Sequence, residues 1–342
     1  MSLKNSNVKI KIPNLLKNKL NNKKIGQIYK KFEKSLDIKE NFVVAVSGGP
    51  DSLALAFLAK IYSIKNNLVS KFLIVDHKLR PDSTIEAKKV KRILKKNLID
   101  IKILTWRGKK PTQNIQALAR NKRYELLFAQ SDKFKINNIL LGHHQNDLLE
   151  NFFIRMLRGS GLRGLISLDK KTKTSGKILL RPLLEQKKND LVFTSKYVFN
   201  FYVQDPTNND EKFQRIKVRR LIEKFIENGL DKKKFIKTIE NLKSSNKVVD
   251  FYTYQNLRDN TFFSSKNKKL TLNKNFFNQP YEVVFRALTE SIRLIGKKYY
   301  PARGKKVEKI IKDNGNHRSF KVTLGGCIIE KVKQTVIITK EL

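Results

Sequence analysis

Six consecutive residues, Ser47-Gly48-Gly49-Pro50-Asp51-Ser52, have the makeup of a loop that holds phosphate. A glycine pair lets the backbone turn sharply and bring its N–H groups close to an anion. Ser47 and Ser52 add hydroxyl donors. The loop has no lysine, unlike the Walker A pattern, in which a lysine reaches the β- and γ-phosphates. It has Asp51 instead. A carboxylate facing phosphate is repelled unless a divalent cation lies between them, so Asp51 predicts Mg²⁺. The bland alternative is a tight strand-to-helix turn with Ser or Asp as the N-cap.

Other chemistry-bearing groups follow along the chain. Asp76-His77-Lys78-Leu79-Arg80 sets an acid beside donors that suit the ribose or base of ATP, or a polar substrate. Arg120 and Arg123 lie three apart on a helical stretch that begins at Asn114, so both guanidinium groups leave one face. Such paired planar forks suit phosphate, though a solvated basic face has the same pattern. His143, Asp147 and Glu150 stand at i, i+4 and i+7, and can share a face. Zinc there would need a third imidazole from His77 or His317. The preferred reading has Asp147 share Mg²⁺ with Asp51 while the histidines organise the pocket. Arg158-Gly159-Ser160-Gly161 is a basic loop fit for phosphate contact, and Arg181-Pro182-Leu183-Leu184 and Asp205-Pro206-Thr207-Asn208 come after it. Arg215 and Arg219, four apart on a helix, complete the set.

Apolar runs alternate with helical stretches around these groups. Phe42–Val46 precedes the glycine loop and Leu53–Ala59 follows it. Runs at 72–75, 101–104, 139–141 and 178–180 precede helices expected near 84–98, 114–131, 147–158 and 187–200. This rhythm predicts an α/β fold, a parallel sheet with helices on both faces. Ligands in such sheets sit at the carboxyl ends of strands, where the winding reverses. The rhythm stops near 220. Residues 221–300 look helical, with a loop within 255–275, and short strands at 320–322, 327–329 and 335–338 follow a basic segment and a helix. The expected division is a flexible basic arm (1–20), a catalytic domain (21–220), a helical RNA-binding region (221–300) and a small α+β part (301–342).

The 342 residues, 40% hydrophobic, can bury a sizeable core. No apolar run approaches the ~18 residues that span a bilayer, and no signal-peptide pattern opens the chain. Cys327 is the only cysteine, which excludes an internal disulfide, a C-x-x-C redox pair and a thiolate zinc site. These features predict a cytoplasmic protein without a membrane partner. The charge of +43, from 73 Lys and Arg against 30 Asp and Glu, attracts polyanions with strong salt dependence. Biased composition accounts for many of those lysines, which are simply solvated.

The glycine loop resembles that of the N-type ATP pyrophosphatases, which cleave ATP between the α- and β-phosphates. The ordered series is more specific. Ser47–Ser52, Asp76–Arg80, Asn114 with Arg120 and Arg123, Gly142–Asn151, Arg158–Leu162, Arg181–Leu184, and Asp205–Asn208 with Arg215 and Arg219 together resemble the tRNA(Ile)-lysidine synthetase family. Leu324-Gly325-Gly326-Cys327 resembles its C-terminal part. Asn146 and Leu148 depart from the pattern, standing where many members carry an acid and a glutamine.

The resemblance implies an adenine nucleotide alpha hydrolase-like fold and a ligase that uses ATP and Mg²⁺. Its substrates would be free L-lysine and an isoleucine tRNA with a CAU anticodon, not DNA, and the oligomeric state stays open, a homodimer included. It implies ATP-binding roles for Ser47, Gly48, Gly49, Pro50, Asp51, Ser52 and His77, and catalytic roles for Asp51, Asp76, Asp147 and Glu150. It implies phosphate or tRNA contacts for Arg120, Arg123, Arg158, Arg215 and Arg219. A tRNA thiolation enzyme of the same fold is the alternative, and the lone cysteine argues against it.

Overall fold

The computed structural model describes residues 11–108, 113, 115–204, 214–265, 269–298, 302–316 and 319–341. The chain forms two compact units, Met1–Asp231 and Lys232–Leu342.

The first unit starts with helices α1 (Asn14–Leu20) and α2 (Lys23–Leu36). It continues through β1 (Phe42–Val46), α3 (Pro50–Lys65), β2 (Ser70–Asp76), α4 (Ser83–Lys96), β3 (Ile101–Thr105), α5 (Ile115–Lys133) and β4 (Asn138–Leu140). After these come α6 (Gln145–Met156), α7 (Leu162–Leu165), β5 (Lys171–Thr174), β6 (Lys177–Leu180), α8 (Lys188–Phe199) and α9 (Gln214–Glu227). The sheet order is β3-β2-β1-β4-β6-β5, parallel except for the edge strand β5.

Alternation along the central strands explains the two covered faces. Phe42, Val44 and Val46 enter one core with α2 and α3, whereas Val43 and Ala45 enter a second with Leu127 of α5. Helix α3 is apolar all round, with every residue from Leu53 to Ala59 fully buried, as expected of a helix in the middle of a core. The winding runs from β1 out to β3, then returns to place β4 on the other side of β1. The reversal point therefore lies between β1 and β4, and their exits carry the glycine loop and Gly142-His143-His144. Gly142 makes that juxtaposition possible: a Cβ there would lie 3.3 Å from the Ser52 nitrogen and 3.4 Å from the Asp51 carbonyl.

The second unit holds α10 (Lys232–Asp259), β7 (Thr261–Ser264), β8 (Lys269–Leu272), α11 (Lys274–Phe277), α12 (Tyr281–Gly296), α13 (Gly304–Gly315), β9 (Lys321–Leu324), β10 (Cys327–Val332) and β11 (Thr335–Lys340). Its strands make one antiparallel sheet, β7-β8-β11-β10-β9, over a core that includes Leu272, Phe276, Leu288, Ile292, Ile329 and Ile338. Cys327 is part of that core. Its thiol points to the Ile292 carbonyl at 3.3 Å, and burial pushes its pKa up to about 11.

Three sequence expectations change. Residues 14–20 are a helix with Leu16 fully buried, so the expected arm (1–20) does not extend over them; residues 1–10 lie outside the described set. Because β8 pairs with β11, the regions expected as 221–300 and 301–342 share one sheet. The division falls after Asp231 rather than near 220, since α9 packs on α6 in the first unit.

Candidate nucleotide site

The glycine loop is braced from within. Gly48 adopts φ +87°, and a Cβ there would lie 2.9 Å from methyl groups of both Val90 and Val203. The Val203 N–H donates to the Gly48 carbonyl at 2.9 Å. Glycine is therefore required at 48 by conformation and by space. Gly49, at φ −69°, is the N-cap of α3, and Pro50 takes the first helical position, which suits its fixed φ. The Ser52 hydroxyl accepts from the Ser47 amide (3.0 Å) and hydroxyl (3.1 Å) and donates to the Gly49 carbonyl (2.9 Å). Its one proton is committed to the loop, so Ser52 acts here as a brace rather than as a phosphate donor. The N–H groups that the first helical turn leaves without intrahelical partners remain for an anion.

Asp51 is the meeting point of three helix N-termini. It is the second residue of α3. Lys188, the first residue of α8, reaches its Oδ2 at 2.6 Å. His144, the N-cap of α6, holds Nε2 3.7 Å from Oδ1. The Gln145 amide donates to the Gln186 carbonyl at 3.2 Å and ties the starts of α6 and α8 together. Positive helix ends converging in this way favour an anion. Oδ1 of Asp51 is buried and has no hydrogen-bond partner, the state of an oxygen shaped for a ligand.

Asp147 and Glu150 are held by arginines. Asp147 Oδ2 accepts the His144 amide at 2.8 Å, while the Asn146 amide donates to His144 Nδ1, a capping box. Asp147 Oδ1 pairs with Arg215. Glu150, 2% exposed, accepts from Arg215 Nε at 2.5 Å and from Arg219 Nε at 2.9 Å. Burial alone would raise the Asp147 pKa, but His144, Arg215 and His143 hold it below the ordinary carboxylate range. Burial works against the charge of Arg215, and Asp147 and Glu150 more than offset it, so its pKa rises.

Both Asp147 oxygens are engaged within the protein, and Oδ2 lies 3.6 Å from the same His144 Nε2 that Asp51 Oδ1 approaches at 3.7 Å, so the sharing of Mg²⁺ by Asp51 and Asp147 stays a proposal. Arg215 and Arg219, expected at phosphate or tRNA, sit on carboxylates. Among the described residues no set of three or more His, Cys, Asp and Glu side chains could hold a metal, which leaves the zinc option without ligands there. Mg²⁺ needs less: it binds through one or two carboxylates, with water and substrate phosphates completing its octahedron. Asp51 Oδ1 fits that demand.

Asp76 is 3% exposed and ties its own turn together. It accepts from the Lys78 amide (3.0 Å), Ser83 Oγ (2.9 Å) and Thr84 Oγ1 (2.6 Å). Burial would raise its pKa, and these bonds outweigh burial and lower it, which makes Asp76 a weak base. His77 Nε2 accepts from Arg123 Nε at 3.3 Å, so its proton sits on Nδ1, a buried donor without a partner. Burial first, then Arg123, lower its pKa to about 4 against the pull of Asp76. His143 is shifted the same way, chiefly by burial, and its Nδ1 is also unpartnered. Arg120 lies over the Tyr124 ring at 5.1 Å, and Arg158 donates to Gln214 at 2.8 Å. Arg181 donates to the Asp169 carbonyl (2.7 Å) and Thr172 Oγ1 (2.8 Å), anchoring β5. Asn114, Asp205–Asn208 and His317 lie outside the described residues.

The two histidines predict an acid transition. With folded pKa values below the unfolded ~6.5, the folded chain binds fewer protons than the unfolded chain in this window. Their contribution is fully present above about pH 6.5 and is lost as pH falls toward 4. Urea unfolding midpoints measured from pH 7.5 to 4.5 should fall steeply below 6.5, and His77→Gln should flatten part of that slope. A midpoint constant across the window would contradict the shift.

The model of the PP-loop domain family matches residues 17–225. The tRNA(Ile)-lysidine synthase of Bradyrhizobium diazoefficiens is 33% identical over 277 residues, covering 79% of this chain and 76% of the relative. The chain belongs to the tRNA(Ile)-lysidine synthase family. The tRNA(Ile)-lysidine synthase of Orientia tsutsugamushi is likewise 33% identical, over 87% of this chain and 69% of the relative. Among solved structures, the U34-tRNA thiolase NcsA from Methanococcus maripaludis superposes with a TM-score of 0.54 over 64% of this chain and 78% of its own. At 17% identity that is a likeness of fold. The sulfur-transfer alternative thus rests on architecture alone, while sequence kinship points to the lysidine synthases.

Lys188, whose ammonium pairs with Asp51, is not singled out by the sequence reading. The only available signal was the missing lysine in the glycine loop, which gave no address for a replacement.

Proposed function

We propose that the chain joins free lysine to C2 of the wobble cytidine of a CAU-anticodon isoleucine tRNA, converting ATP to AMP and pyrophosphate. The observation that carries this reading is Asp51, with its unpartnered buried oxygen at three converging helix N-termini, in a chain of this family. The cytidine O2 attacks the α-phosphorus and the α–β bond breaks, releasing pyrophosphate. The ε-amine of lysine then bonds to C2, the C2–O bond breaks, and AMP leaves. Adenylation is needed because a urea-like carbonyl oxygen is a very poor leaving group.

Asp51 Oδ1 would hold Mg²⁺, which offsets the charge developing on the pyrophosphate. The loop amides and helix ends orient the phosphates. The amine, with a solution pKa near ~10.4, must shed a proton before attack. Asp147, Glu150 and Asp76 are the acids proposed to hold or deprotonate it; each is engaged within the protein, Asp147 by the His144 amide and Arg215, Glu150 by Arg215 and Arg219, and Asp76 by its own turn.

The charge of +43 suits an RNA substrate, with Arg120, Arg123 and Arg158 exposed on the first unit. In the second unit, α10 exposes Phe251, Tyr252 and Tyr254 beside Lys247, the mix of rings and cations on which unpaired bases stack. Among the described residues no helix is long and apolar enough to cross a membrane; a cytoplasmic site of action is part of the proposal.

Incubation with total tRNA, ATP and radiolabelled lysine tests the reading. Label should enter tRNA only when unmodified CAU-anticodon isoleucine tRNA is present, with one AMP formed per lysine. Unlabelled tRNA, ADP in place of AMP, or accumulation of a thiolated nucleoside would overturn it.

A further inference from the structure

The glycine loop lacks the lysine that Walker-type loops point at the outer phosphates. A lysine nevertheless reaches the loop from 137 residues away. Lys188 Nζ lies 2.6 Å from Asp51 Oδ2, with its side chain 35% exposed. The backbone at its base is fixed. The Gln186 amide donates to Leu183 (2.8 Å), its carbonyl accepts Gln145 (3.2 Å), and its side chain donates to Ile28 (3.3 Å). The long stem above that anchor is flexible, so the ammonium can move while its origin stays put.

A cation taken up by Asp51 Oδ1 would lie beside this ammonium on Oδ2 of the same carboxylate. Two positive groups on one carboxylate repel each other, and the displaced lysine remains within a stem's reach of the loop. We propose that Lys188 is the pyrophosphate-binding lysine of this site: it rests on Asp51 when nucleotide is absent and transfers to the β- and γ-phosphates when Mg²⁺ and ATP bind. The assignment rests on the ATP-site reading above, and it needs neither tRNA nor lysine. An ordinary half-exposed ion pair would instead contribute little and do nothing selective.

Calorimetric affinities of the full chain for ATP, inorganic pyrophosphate and AMP, at one Mg²⁺ concentration, separate the two. Lys188→Ala should weaken ATP and pyrophosphate by about ten- to a hundredfold, as loss of one charge-assisted contact implies, and leave AMP within about twofold. Lys188→Arg should restore most of the loss, because a cation of similar reach remains. Equal weakening of all three ligands would make Lys188 a mere brace of the loop and overturn the proposal. So would unchanged ATP affinity, or a parent chain that binds no ATP. These measurements contain no tRNA, so failure to incorporate lysine would sink the family activity and leave this assignment standing.

Discussion

Asp51→Ala should lower AMP formation by about 10³-fold or more, while tRNA affinity should stay within about twofold. The first effect follows from removing the oxygen that would hold Mg²⁺ where charge builds on the departing pyrophosphate; single electrostatic contacts of that kind are worth about 10²–10³ in rate, and a metal site more. The second follows from where RNA affinity resides, in many dispersed lysines and arginines, of which no one group dominates. Folding should change little, since a carboxylate in a first helical turn contributes only about 0.3–1 kcal/mol. Rapid-quench assays of AMP release and filter binding of tRNA measure the two arms. Turnover within a few-fold of the parent would remove the metal role from Asp51.

Arg215→Ala combined with Arg219→Ala should destabilise the first unit by about 3–5 kcal/mol, the cost of leaving a buried charge without partners. Glu150 is 2% exposed, and these two guanidinium groups form its ion pairs. Adding Glu150→Leu to the double variant should recover much of the loss, because the orphaned charge is then gone. Urea unfolding at pH 7 measures both. The same experiment separates the two roles considered for these arginines. Phosphate ligands on a solvated surface would lower tRNA affinity and leave the unfolding midpoint where it was.

The phosphate loop and the strands β1 to β4 and β6 were legible because each left a local mark. Phe42–Val46 is a continuous apolar run, as a strand buried on both faces must be, and the glycines follow directly. Strand β5 left none: Lys171-Thr172-Lys173-Thr174 is an edge strand whose residues are half-buried at most, so no hydrophobic alternation marks it. The β7–β8 hairpin was hidden by the same logic, since Phe262 and Phe263 face solvent and the core contacts come from Leu270 and Leu272. The partners of the charged groups were illegible for a different reason. Arg215 lies 65 residues from Glu150, and nothing in either segment says that a helix 214–227 will close over a helix 145–156. Type and spacing along one helix predicted a shared face; tertiary packing adds arginine partners for Asp147 and Glu150. Lys188 was lost among a crowd of other lysines.

The placement of β11 also bears on how the second unit is made. Its strand lies at the centre of the antiparallel sheet, between β8 and β10. Translation delivers β7 and β8 long before β11, so a nascent chain emerging from the ribosome carries a two-stranded ribbon whose inner edge has nothing to pair with. Two-stranded ribbons are marginal in water. Assembly of this sheet therefore waits for residues 335–340, the strand that joins the β7–β8 ribbon to β9 and β10.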